Sequence, residues 1–153
     1  IAVLGGPTTS YPSRMRRLGA QDAMEDAGLT FDDRLYGLSN YDFESAYHAM
    51  NGLLARRAEF TALFAMSDVI AFGAIRALVS AGFRVPEDIS VIGFDGISMS
   101  RYCVPVMTTI VQPSEQIALQ SIELLVRQIE HGAPAQKITL QPELQVGESV
   151  RAV

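Results

Sequence analysis

The 153-residue chain is poor in the side chains that carry most metal, thiol and redox chemistry. Its single cysteine, Cys103, excludes an internal disulfide and with it the small secreted disulfide scaffolds. Its two histidines do not fall at metal-ligand spacing. His48 lies mid-helix, His131 sits at a helix end where the dipole welcomes a cation, and Cys103 has no His partner. No metal and no cofactor is expected. Lysine occurs once, at Lys137, and net charge is −5, so the surface repels phosphate backbones and this piece does not itself read as a nucleic-acid binder. No apolar run approaches the ~20 residues of a bilayer span. There is no G-x-S-x-G elbow, and Gly5-Gly6-Pro7 is neither G-x-G-x-x-G nor a phosphate loop. Asp68 and Asp95 offer two carboxylates, but no nucleophile accompanies them, so no enzyme is expected. The chain opens at Ile1 inside an apolar run, without a signal peptide, and reads as an excised part of something longer.

What the sequence does contain is a regular alternation. Short β-branched or apolar runs predict strands at residues 1–5, 34–36, 62–66, 89–94 and 107–111. Helical periodicity predicts helices over 13–27, 42–57, 69–81 and 114–130. Ser13 is the expected N-cap of the first, Gly28 closes it, and Gly132 closes the last. The strand starts lie about 33, 28, 27 and 18 residues apart, and the first three gaps fit the ~30 residues of a βαβ unit. Residues 97–106 read as a loop, and 137–146, which carries Pro142, as an extended segment that bends or sits at an edge. The expected fold is α/β, an open doubly wound parallel sheet with helices on both faces.

Ligands of such sheets bind outside the carboxyl ends of the strands. Those ends carry Thr8, Thr9 and Ser10, then Asn40 and Tyr41, then Ser67 and Asp68, then Asp95, then Gln112. Hydrogen-bonding groups beside one aromatic ring suit a small hydroxyl-rich or heterocyclic molecule. The same residue types cap helices, and Ser67 best fits a pure cap, with Asp68 stabilising the helix dipole. Arg14, Arg16 and Arg17 crowd the opening of the first helix, where the dipole disfavours cations, and one of them is expected to reach the cleft with Asp95 as its counter-charge. The helix over 69–81 is apolar on two nearly opposite faces, Val69, Phe72, Ile75 and Val79 forming the outer one, which points to cover by another subunit or a neighbouring loop. The helix over 114–130 has a wider apolar arc than one sheet contact requires.

Two segments then carry a resemblance. Ala65-Met66-Ser67-Asp68-Val69-Ile70-Ala71-Phe72-Gly73-Ala74 and Gly82-Phe83-Arg84-Val85-Pro86-Glu87-Asp88-Ile89-Ser90-Val91-Ile92-Gly93-Phe94-Asp95 closely resemble the effector-binding domain of the lac-repressor/gal-repressor family of bacterial transcription regulators. Thr108 to Pro113, Pro142-Glu143-Leu144, Glu148-Ser149, and Gly5-Gly6-Pro7 with Arg16 three residues before Gly19 are similar to that family too, in its order and spacing.

The resemblance implies an effector-sensing and dimerising part of a cytoplasmic repressor. It would bind a sugar-like or nucleoside-like molecule in a periplasmic-binding-protein-like cleft, with DNA bound only through a headpiece this chain lacks. It implies that residues 1–112 form the C-terminal lobe, and that residues 113–153 cross to the other lobe and return. Arg16 matches the effector-clamping arginine, Asp95 the sugar-binding aspartate, Tyr41 the stacking ring, and Ser67 the polar residue of the family's Asn-Asp pair. Gln112 falls at the crossover beside the cleft, and Ser10 joins this effector-binding set. Val69, Phe72, Tyr102 and Cys103 are implied to lie at or near a homodimer interface. Ser67 stands where Asn is usual, Gly96 where a second Asp is frequent, and Gly147 where Arg is common. The alternative is a periplasmic or transport-linked sugar-binding protein of the same fold, whose helix over 69–81 would be polar outside. A nucleotide-processing α/β enzyme is a more distant possibility.

Overall fold

A computed structural model describes residues 1–151. Six strands, β1 (Ala2–Gly5), β2 (Tyr36–Leu38), β3 (Ala62–Ala65), β4 (Ser90–Asp95), β5 (Thr108–Val111) and β6 (Glu143–Gln145), alternate with α1 (Tyr11–Asp26), α2 (Phe43–Ala55), α3 (Asp68–Ser80) and α4 (Ser114–His131). They form one sheet in the order β2-β1-β3-β4-β5-β6. All neighbours are parallel except β6, which returns antiparallel to β5 with Ile110 opposite Leu144. The expected fold class is therefore present, with the Pro142 segment reduced to a short edge strand.

Two layers of helix cover the sheet. Leu4, Leu63, Ala65 and Val91 pack with Ala46, Met50, Leu53, Ile70, Ala74 and Leu78 into the core under α2 and α3. Those two helices approach so closely that a Cβ on Gly73 would lie 2.4 Å from the Phe43 carbonyl oxygen. On the other face Val3, Phe64, Ile92 and Ile110 line a groove against Gly19, Ala20, Ala23 and Met24 of α1. The closing segment is stitched in by Ser149, which is fully buried. Its Oγ donates to the Val91 carbonyl at 2.6 Å and accepts from the Thr108 amide at 2.8 Å. Among the described residues no helix is long and apolar enough to cross a membrane.

Several local expectations need correction. The cap of helix α1 falls three residues before the expected Ser13, because Ser10 adopts the extended cap geometry and Pro12 supplies a pre-set φ in the first turn. Arg14, Arg16 and Arg17 consequently sit at or beyond the end of that turn, so the dipole conflict is weaker than expected. Residues 33–35 coil into a 3-10 turn capped by Asp32, which moves β2 from the expected 34–36 to 36–38. The 97–106 loop contains another 3-10 turn, Ser98–Arg101. The outer face of α3 is not bare within this chain, since Phe72 and Ile75 pack in part against the core, while Val79 stays half exposed. Helix α4 contains no buried residue, and Leu119, Ile122, Leu125 and Ile129 are exposed along it. Of the 113–153 segment, residues 152–153 lie outside the described residues.

Candidate functional site

The carboxyl ends of the parallel strands converge around Arg16. From the second turn of α1 its guanidinium stacks over the Phe94 ring, 3.7 Å from the centroid. It donates to the Met66 carbonyl at the end of β3 and, at 3.3 Å, to Asp95 Oδ1 at the end of β4. The same carboxylate oxygen accepts a 2.6 Å bond from Gln112 Nε2, just beyond β5. Three strand ends and one helix are thereby tied together by a single ion pair whose members are 16% and 27% exposed. Burial pushes the Asp95 carboxyl above its ordinary value, against the opposing pull of Arg16 and Gln112. Asp95 also holds a positive φ of 116°, and Gly96 one of 72°, so the backbone turns sharply where the carboxylate is presented.

Tyr41 closes the other side of this floor. Its φ of 61° is left-handed, and its ring lies flat on Gly6, where an added Cβ would come within 2.0 Å of the ring. Its hydroxyl meets Ser13 Oγ at 2.6 Å. Of the three arginines only Arg16 enters the site. Arg14 folds back onto the Thr8 and Thr9 carbonyls, and Arg17 pairs with Asp33 at 2.7 Å beside the Tyr36 ring.

Arg16, Asp95, Gln112 and Tyr41 are thus brought to one surface. Ser10 and Ser67 lie at the same strand ends, but each hydroxyl accepts from a helix amide, Ser13 N at 3.4 Å and Ile70 N at 3.1 Å, and so acts as a cap. Asp68 differs from the expected dipole-stabilising acid. It is fully buried, its Oδ1 accepting from Thr109 Oγ1 at 2.5 Å and its Oδ2 from the Ile97 amide at 2.8 Å, so it fastens α3 to β5 and to the loop after β4. Val69 and Phe72 lie on α3, both partly buried. Tyr102 is 81% exposed beside the more exposed Val104, and the Cys103 thiol donates to the Ser100 and Pro105 carbonyls, with burial pushing its pKa up. Gly147, where Arg was the family expectation, has no room for a Cβ, which would lie 2.4 Å from the Val106 carbonyl oxygen.

Sequence reasoning missed Ser13 and Phe94. Ser13 precedes Arg16 by three residues and so shares its helix face, a spacing that was available but was absorbed by the capping assignment. Phe94 was read as a strand residue only, although an aromatic beside Asp95 is well placed to carry a guanidinium.

A single sheet between helical layers, with a charged and aromatic cluster at its carboxyl edge, defines a ligand-binding lobe, and the chain belongs to the periplasmic binding protein-like domain family, matched over residues 1–150. Within it, the homologues are regulators of the LacI family. The transcriptional repressor PurR of Haemophilus influenzae is 37% identical over 157 residues, covering 100% of this chain and 47% of that protein. The transcriptional regulator MalR of Clostridium butyricum is 39% identical over 126 residues, covering 82% and 38%. The structure of a CelR–cellobiose complex superposes with a TM-score of 0.93 at 32% identity, covering 97% of this chain and 46% of that one. The chain spans about half the length of the relatives it matches.

Proposed function

We propose that this chain is the effector-sensing and dimerising lobe of a transcriptional repressor of this family. The reading is carried by the Arg16–Asp95–Gln112 cluster set beside the Tyr41 ring at the carboxyl edge of the sheet. A carboxylate with one oxygen free of these bonds, next to a guanidinium and an aromatic face, suits a sugar-like or nucleoside-like ligand, with Ser10 and Ser67 bordering it. Residues 113–142 cross to a second lobe and the chain returns at β6. The exposed apolar arc of α4 supports this, as does the antiparallel pairing of β6. Val69, Phe72, Tyr102 and Cys103 border the contact with a second copy, and the exposure of Val79 and Val104 nearby supports that surface. Closure of two lobes on the ligand shifts the dimer between DNA-competent and incompetent states, DNA being held by a headpiece outside these residues. The protein acts in the cytoplasm, as a regulator and not an enzyme. The exported sugar-binding alternative is not favoured, because the relatives are named as transcriptional regulators.

The test uses protein expressed from the whole reading frame, screened by thermal shift against mono- and disaccharides and nucleosides, with its mass measured by light scattering. Asp95→Ala is expected to abolish the ligand-induced shift and leave a dimeric mass. A shift retained in Asp95→Ala, a strict monomer, or a panel without response overturns the reading.

A further inference from the structure

Ser13 is 1% exposed, and its hydroxyl, in the first turn of α1, is turned away from its own helix. A serine inside a helix commonly bonds a carbonyl one turn back. Here the bond runs instead to the Tyr41 hydroxyl at 2.6 Å, across a separation of 28 residues. Tyr41 needs such an anchor. Its backbone is left-handed, at a cost for a bulky side chain, and it sits in the short connection between β2 and α2. Its ring is pinned from below by Gly6, which leaves no space for even a methyl group. One contact holds the ring face and the other holds its far end.

We propose that Ser13 is a positioning residue for the effector: its hydroxyl locks the Tyr41 ring flat as a pre-built stacking platform and anchors the Tyr41 hydroxyl to α1. The proposal rests on the effector-binding reading above. It also narrows that reading. With its hydroxyl held against Ser13, Tyr41 meets a ligand through its aromatic face. The matching part of the ligand is a flat C–H surface, such as one side of a pyranose, or a heteroaromatic ring. The charged and amide contacts on this lobe fall to Arg16, Asp95 and Gln112. Ser13 and Arg16 lie three residues apart on one helix, so α1 fastens the platform and the guanidinium together, and binding pays little to order either.

The experiment uses protein from the whole reading frame, with D-galactose, cellobiose and adenosine as probes. Two quantities are read: the ring-current shift of the Gly6 Hα protons by NMR, and the Kd of the tightest probe by calorimetry. Wild-type Gly6 is expected to be strongly shifted by the ring above it, with Tyr41→Ala giving the unshifted limit. Ser13→Ala and Tyr41→Phe should each move Gly6 toward that limit and weaken the probe roughly tenfold, about the worth of one buried hydrogen bond. The double variant should be no worse than either single one, and Ser13→Thr, which keeps the hydroxyl, should restore both readouts. A Gly6 shift unmoved in Ser13→Ala and in Tyr41→Phe overturns the proposal, with or without a probe bound. So does a moved shift with an unchanged Kd, which would make the bond purely structural. A Kd unchanged in Tyr41→Ala sinks the stacking role of Tyr41 itself, a separate failure.

Discussion

Asp95 presents a single oxygen, Oδ1, to both Arg16 and Gln112, while burial raises its pKa above the ordinary 3.8. The carboxylate is thus held charged by its partners at a cost the surroundings impose. That cost has a sign in pH. A carboxyl whose folded-state pKa is raised binds its proton more tightly in the folded protein. Its contribution therefore falls as pH rises from 3.8 through the raised value, and stays low above it.

Asp95→Asn removes that penalty. The variant's stability relative to wild type, followed by urea unfolding across pH 3 to 7, should improve as pH rises through this window and then level off. Ligand response should be lost at the same time. A difference that declines with rising pH would mean that the ion pair, not burial, dominates the carboxylate's energy.

Asp88 gives the opposite slope. Hydrogen bonds from the Arg84 side chain and amide lower its pKa to about 2, so its contribution is complete above 3.8 and is lost as pH falls toward 2. Asp88→Asn should flatten acid unfolding in that range and leave the neutral region's ligand behaviour alone, since Asp88 lies between α3 and β4, away from the Arg16 cluster.

How much of this was legible beforehand follows from what each residue does. The strands and helices were readable because apolar periodicity is local: helical spacing puts Ala46, Met50, Leu53 and Leu54 on one face of α2, and the first three are fully buried while Leu54 is partly buried. The α1 start was misread because Ser10 and Ser13 are both acceptable caps, and only the chain's geometry selects between them. The Arg16–Asp95 pair was foreseeable, since strand ends of a doubly wound sheet converge. Asp68 was not. Its partners Thr109 and Ile97 lie 41 and 29 residues away, and no local pattern distinguishes a capping acid from a buried one.

Asp68 should accordingly tolerate Asn better than Ala. In Asp68→Asn the amide oxygen can still accept from the Ile97 amide, and the Thr109 hydroxyl can rotate to accept from the new NH2 group. A loss of about 1 kcal/mol is expected. Asp68→Ala orphans the buried Thr109 hydroxyl and the part-buried Ile97 amide and should cost roughly 2–4 kcal/mol in chemical unfolding. Equal losses for the two would mean that charge, not hydrogen-bond satisfaction, is what the site requires.

Two glycines of the helical layer should respond in opposite directions. Gly52 is exposed within α2, and a Cβ there meets nothing within 4 Å, so Gly52→Ala should stabilise by about 0.5–1 kcal/mol through a less flexible unfolded chain. Gly73 faces α2, where a Cβ would lie 2.4 Å from the Phe43 carbonyl oxygen and 2.8 Å from the Ala46 Cβ. Gly73→Ala should therefore push α3 off α2 and lower the melting temperature, at a cost of about 1–3 kcal/mol. If both alanines stabilise, the α2–α3 spacing is looser than the structure has it.

The last prediction concerns Gly6 and Tyr41 as a pair. A Cβ on Gly6 would penetrate the Tyr41 ring, at 2.0 Å from Cε2 and 2.4 Å from Cζ, and the ring cannot withdraw while Ser13 holds its hydroxyl. Gly6→Ala alone should break that arrangement, lowering stability and weakening ligand. In a Tyr41→Ala background the obstruction is gone, so the same Gly6→Ala change should cost almost nothing further. The two effects are thus strongly non-additive, with a coupling of about 1–3 kcal/mol in a double-mutant cycle measured by thermal or urea unfolding. Additive losses would mean that Gly6 is needed for the β1 turn itself and not for the ring that rests on it.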